Sequence, residues 1–194
     1  MVDMASINRI NKGIWLVITH CFYKCKFGHI GKKSVLFKPM QLDNMKTISI
    51  SDGVFIAEGA WLMGSKDSNI RTLIIGNGTV IGHFSHIVGL SMVCIENDVL
   101  MADRIFISDC THEYEMIDKP IAKQPIKILK PVTIGEGSWL GENVCVCGAS
   151  VGKHCVIAAN SVVTKDIPDY CVAAGSPAKV VKRYNFETKM WEKV

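Results

Sequence analysis

Ile75-Gly76-Asn77-Gly78-Thr79-Val80-Ile81-Gly82-His83-Phe84-Ser85-His86-Ile87 carries an isoleucine at every sixth position. Neither the 3.6-residue period of an amphipathic helix nor the two-residue alternation of a half-buried strand produces that spacing. The sextet extends in both directions, and its returns come in groups of three. Ile30, Leu36 and Leu42 form the first group, and Ile50, Ile56 and Leu62 the second. After the quoted stretch come Ile95, Met101 and Ile107, then Ile134, Leu140 and Val146, then Val151, Ile157 and Val163. Six-residue periodicity marks a parallel β-helix built from hexapeptide turns. Three turns close one triangular coil, so the chain reads as all-β with about six coils.

The interruptions fall in one place. Within each group the spacing is six; between groups it is 8, 13, 8, 27 and 5. Every departure therefore follows the third turn of a coil, at one corner of the prism. Insertions in solenoids collect as loops on one face, often the binding face. The largest runs from Ile107 to about Pro131, and a ligand is expected at that corner. Small residues follow many apolar positions, among them Gly31, Ala57, Gly76, Gly82, Ala102, Gly135, Gly141, Gly152 and Ala158. Corners needing φ > 0 would account for them. Ser34, Thr79, Ser85, Ser91, Ser138, Ser150 and Ser161 recur four places after an apolar position, where a narrow interior admits a small side chain.

A chain of 194 residues is long enough for one core. With 48% apolar and 21% charged residues it is not a disordered chain. The eight cysteines show no paired spacing and no cleavable leader is evident, which reads as a reducing, cytoplasmic setting with free thiols. Of the 22 basic and 18 acidic residues, residues 1–40 hold seven and one respectively. The basic character thus belongs to the N-terminal segment, which also carries Ile14-Trp15-Leu16-Val17-Ile18, Phe22 and Tyr23. That run is too short to span a bilayer. Two readings stay open for residues 1–29: a helical cap on the solenoid, or a peripheral contact with an anionic inner-membrane surface. His20, Cys21, Cys25 and His29 lack the close cysteine spacing of structural zinc sites, and no metal is expected. No Walker-type glycine-rich loop implies ATP, and no nucleic-acid partner is expected.

The repeats, the segment Ser108-Asp109-Cys110-Thr111-His112, the long insertion after it and the run Val163-Thr164-Lys165-Asp166-Ile167-Pro168 … Ala174-Gly175-Ser176-Pro177-Ala178-Lys179 resemble the hexapeptide-repeat acetyltransferases. The resemblance covers about residues 30–183. It implies a left-handed parallel β-helix, a homotrimer with sites between subunits, and acetyl-CoA as donor. Within the family the chain looks most like bacterial sugar O-acetyltransferases of lipopolysaccharide or capsule assembly, and the ending Tyr184–Lys193 is similar to theirs. The expected organisation is an N-terminal segment 1–29, a β-helix 30–168 carrying the loop 113–131, and a C-terminal tail 169–194.

Moving acetyl from a thioester to a sugar hydroxyl needs a base for a poor nucleophile, and a neutral imidazole suits that at physiological pH. His112 stands at the insertion-bearing corner, and the resemblance makes it the general base. Asp109 is expected to orient that imidazole or to touch the sugar, with a turn-capping role as the alternative; Glu113 is a weaker candidate. The resemblance puts His86 and Trp139 near the acceptor, with a packing role as the open alternative for each. It puts Gly141, Ala159, Thr164 and Lys165 along the pantetheine channel, and Lys179 and Lys182 near the nucleotide phosphates. Three other readings stay open: N-acetylation of an amino nucleotide sugar, O-acetylation of a small free sugar, and a silent scaffold. A zinc hydrolyase of the carbonic-anhydrase type shares the architecture but needs three histidines at one interface, and residues 113–131 hold none.

Overall fold

The computed structural model describes the backbone of residues 4–194 and the side chains from Asn11 onward, so the first residues of the expected segment 1–29 lie outside the described residues. Parallel strands stack into three faces of a triangular prism. The first face holds His29–Ile30, Ile48–Ile50, Leu73–Ile75, Val93–Ile95 and Val132–Ile134. The second holds Val35–Leu36, Phe55–Ile56, Val80–Ile81, Leu100–Met101, Trp139–Leu140, Val156–Ile157 and Cys171–Ala174. The third holds Gln41–Asp43, Trp61–Met63, His86–Val88, Phe106–Ser108, Cys145–Cys147 and Val162–Val163.

Register follows from the sextet. Ile30, Ile50, Ile75, Ile95 and Ile134 stand opposite one another on successive first-face strands, and the other two faces repeat the pattern. Seventeen of the eighteen sextet residues are buried, and Leu42 packs half-buried against them. The apolar columns therefore form one continuous core. The hydroxyls at the fourth places close the coils on one another. Ser34 donates to Ser51 O at 2.6 Å and accepts from Val54 N at 3.0 Å; Ser138 does the same with Gly152 O and Cys155 N.

Two expectations need correction. The small residues after the sextet positions do not sit at φ > 0. A Cβ on Gly76 would lie 2.5 Å from the Glu96 backbone, and one on Gly135 2.5 Å from that of Gly152. Close passage of the next coil selects glycine at these two places. Positive φ falls two places later, at Gly78, Asp98, Gly137 and His154 on one corner and at Phe84, Arg104, Asn143 and Asn160 on another. The stack also runs past residue 168. Ile167 bridges to Val151, Ala173 stands opposite Ile157, and these two residues are again six apart. Beyond them Lys179–Asn185 and Met190–Lys193 add two antiparallel strands to the second face.

Helix α1 (Met4–Ile18) and a turn of π-helix (Thr19–Tyr23) lie against the first coil. Buried Thr19 accepts from Leu36 N at 3.0 Å and donates to Trp15 O at 2.6 Å, satisfying an N–H at the open end of the stack. Trp15 meets Phe37 edge-on at 5.8 Å, and Phe27 is buried in the core. Ile14, Val17 and Phe22 face outward and are exposed. Among the described residues no helix is long and apolar enough to cross a membrane.

Candidate active site

The fourth coil ends at Phe106–Ser108, where the chain leaves at the insertion corner. Asp109, the next residue, is fully buried. Its Oδ1 accepts from Leu90 N at 2.9 Å and its Oδ2 from Ser91 N and Met92 N, each at 2.6 Å. The carboxylate is thus spent on tying the third coil's corner to the start of the long insertion. It is a turn cap, in place of the expected partner of His112.

Cys110–His112 pairs antiparallel with Ile126–Ile128, and His112 stands opposite Ile126. The insertion is therefore a folded hairpin. Buried Gln124 donates to Met116 O and Lys119 O, both at 2.8 Å, and so holds its tip. Lys127 pairs with Glu113 at 3.3 Å and Glu115 at 3.2 Å. The bonds to Glu115 and then Glu113 raise the Lys127 pKa.

His112 is exposed and lines a cavity of about 350 Å³. Trp61, His86 and Phe106 form one wall from adjacent third-face strands in register. The Trp61 and His86 rings stack at 4.0 Å and 7°, and Phe106 meets His86 at 5.3 Å and 65°. Trp61 Nε1 donates to Asp43 Oδ2 at 2.8 Å, fixing the indole. Burial lowers the His86 pKa, which leaves its ring neutral at pH 7. Its Nε2 is buried without a partner among the described residues. Met63, Val88, Leu90 and Ile126 supply apolar wall, with Ser108 and Thr111 beside His112.

Cys110 and Cys147 also line the cavity. Burial raises both thiols; at Cys110 the Ser108 hydrogen bond opposes this, and at Cys147 the neighbouring Cys110 adds to it. Thiols held protonated are weak nucleophiles. The cavity suits proton removal by His112 better than a covalent relay through sulfur.

The remaining expected residues do not join this cavity within one chain. Trp139 lies on the second face, 48% exposed, between Leu100 and Val156. Gly141 and Ala159 adjoin at a corner of successive coils, a Cβ on Gly141 falling 2.7 Å from Ala159 N. Thr164 and Lys165 follow the last third-face strand, and Lys179 and Lys182 lie on the antiparallel strand opposite Ala174 and Val172. All but Gly141 of these seven are exposed. Trp61 and Phe106 were missed, yet both carry a signal: with His86 they immediately precede the inward Leu62, Ile87 and Ile107, so one phase of the repeat aligns them. Among the described residues no three His, Cys, Asp or Glu side chains gather as a metal site.

Residues 131–165 match the family model for the hexapeptide repeat of succinyl-transferase. The chain is 38% identical over 128 residues to a putative lipopolysaccharide biosynthesis O-acetyl transferase of Escherichia coli, covering 62% of this chain and 65% of that one. It is 30% identical over 156 residues to the galactoside O-acetyltransferase of the same organism, covering 78% and 74%. The chain spans 65%, 43% and 56% of the lengths of the first three curated relatives it matches. An N-acyltransferase of Bacillus cereus, crystallised with a dideoxy-amino sugar nucleotide and coenzyme A, superposes with a TM-score of 0.73 at 17% identity, over 88% of this chain and 91% of that one. The shared fold is the left-handed parallel β-helix.

Proposed function

Because the chain belongs to the hexapeptide-repeat acetyltransferases, we propose that it transfers acetyl from acetyl-CoA to a sugar hydroxyl in surface polysaccharide biosynthesis, lipopolysaccharide O-antigen or capsule. The observation that carries this reading is the cavity that brings His112 together with the Trp61–His86–Phe106 wall at the insertion corner. An apolar aromatic wall suits the C–H face of a sugar ring, and the imidazole beside it suits its hydroxyl.

Acetyl-CoA supplies the activated acyl group as a thioester. Lys179 and Lys182 are exposed and basic, as a nucleotide's phosphates require. On this reading the pantetheine arm lies along Gly141, Ala159, Thr164 and Lys165, of which Ala159, Thr164 and Lys165 are exposed. His112 accepts the acceptor hydroxyl's proton as that oxygen attacks the acyl carbon, then returns it to the departing sulfur. Transfer is direct, with both substrates bound.

The active form on this reading is a homotrimer. His112 and Trp139 occupy different faces of one chain, and a neighbouring copy would supply the Trp139 that faces a given His112 cavity. The work is assigned to the cytoplasm. The N-terminal helix acts as a cap through Thr19 and Trp15; exposed Ile14, Val17 and Phe22, with exposed Lys24 and Lys26 following in the chain, support a peripheral contact with anionic lipid.

The test is CoA release against a panel of free sugars, amino nucleotide sugars and oligosaccharide repeats. Release with hydroxyl acceptors and its loss in His112→Ala are expected. Release confined to amino sugars would replace O- by N-acetylation, and no release with any acceptor would leave a scaffold.

A further inference from the structure

The cavity beside His112 does not end there. Met63, Leu90 and Ile126 line it and also a second cavity of about 840 Å³ beneath the insertion corner. Asn44, Ser65, Lys66 and Ser68 line that second cavity and a third of about 340 Å³. Shared walls set the three side by side, as a row of adjoining hollows that we read as one groove. Its far end is lined by Lys26, Lys46 and Lys66, with Asn44, Ser65 and Ser68 between them and no carboxylate. Asp67 lines the middle cavity instead.

Those lysines follow from the architecture. Lys46 and Lys66 sit on the insertions after the first and second coils, and Lys26 precedes the first. Stacked coils therefore set them at one corner. The groove crosses three strand spacings from the fourth coil to the first, roughly 10–15 Å. Its lysine end is fixed: Asn44 Nδ2 donates to Gly64 O at 2.9 Å, Thr47 Oγ1 to Ser65 O at 3.0 Å, and Lys46 Nζ to Cys25 O at 2.8 Å. A hollow lined by three lysines and no acid draws anions, and its hydroxyl and amide groups offer further donors to phosphate oxygens.

We propose that this groove takes an acceptor whose sugar is carried on a phosphate or diphosphate ester, with the sugar at His112 and the phosphate among Lys26, Lys46 and Lys66. The inference rests on the acetyl-transfer reading of the His112 cavity. A neutral free sugar leaves the lysine end empty. A nucleoside-diphosphate sugar and a lipid-diphosphate glycan share the required chemistry.

Inorganic pyrophosphate titrated calorimetrically into the full-length protein should bind, and the Lys46→Met/Lys66→Met double variant should bind it about 100-fold more weakly, about tenfold per lysine. Lys66→Met alone, in an exposed loop, carries the test if the double variant does not fold. CoA release is then compared for one sugar presented free, on a nucleoside diphosphate and on a lipid diphosphate. The phosphate-bearing forms should show the lower KM, the better of the two naming the source. The double variant should raise that KM about 100-fold with kcat nearly unchanged. Equal pyrophosphate binding by both proteins, or equal KM for free and phosphate-bearing sugar, overturns the proposal. So does a double variant that loses acetyl-CoA affinity instead, which would assign the lysines to the donor. Lysine-dependent pyrophosphate binding without CoA release from any acceptor would keep the anion site and refute acetyl transfer.

Discussion

Replacing Asp109 should cost stability first and chemistry second. Its carboxylate receives three backbone N–H groups, from Leu90 at 2.9 Å and from Ser91 and Met92 at 2.6 Å. Hydrogen bonds to a charged group contribute about 1.5–3 kcal/mol each. Leu90, Ser91 and Met92 are only half-buried, so water can replace part of the loss in Asp109→Ala. That discount leaves a cost of about 3–5 kcal/mol, a fall of roughly 10 °C in melting temperature for a chain of this length. Asp109→Asn divides the effect. An amide oxygen in the Oδ2 position keeps the Ser91 and Met92 bonds, while its NH2 opposes Leu90 N–H. The cost should then be about 1–2 kcal/mol. Thermal melts followed by circular dichroism, read beside CoA release well below the transition, give both quantities. Turnover in both variants should stay within about tenfold of wild type, far from the loss expected on removing a base. An Asp109→Asn variant that melts with the wild type yet loses a hundredfold in kcat would refute the turn assignment and return the carboxylate to His112.

His112→Ala should lower acetyl transfer by roughly 10²–10⁴-fold with acetyl-CoA affinity unchanged; a folded variant within a few-fold of wild type would rule out the base. His86 is held neutral by burial, so its folded pKa lies below the unfolded value of about 6.5. Its contribution is intact above that pH and fades as pH falls through the depressed value, because the unfolded state binds the extra proton. Melting temperatures between pH 7.5 and 5 should fall less steeply in His86→Phe, and an unchanged slope would contradict the burial argument. If each site draws His112 from one subunit and Trp139 from the next, co-refolding equal amounts of His112→Ala and Trp139→Ala restores about one quarter of wild-type sites; no recovery argues against shared sites. Vesicle binding should need anionic lipid, weaken with salt and be lost on deleting residues 1–29; equal binding by the truncated protein leaves only the cap.

Much of the fold was legible in the chain because the hexapeptide turn is a local unit. Each sextet residue faces inward for the same steric reason, so Ile75, Ile81 and Ile87 report on three faces without reference to any distant contact. The one insertion-bearing corner was readable for the same reason, and with it the position of His112. The continuation past residue 168, through Ile167 and Ala173, was not read, because alanine at an inward place weakens the apolar signal.

What tertiary structure decided lies between coils. Asp109 caps residues 90–92 because coil stacking brings N–H groups from 17 to 19 positions earlier against it; sequence spacing leaves that as open as a bond to His112. The same stacking lays Trp61, His86 and Phe106 into one aromatic wall, folds residues 110–128 into a hairpin, and gathers Lys26, Lys46 and Lys66 around one hollow. A repeat fixes which way each side chain points. Which side chains then touch depends on the height of each coil above the last and on how each insertion folds back, and those are properties of the stacked chain.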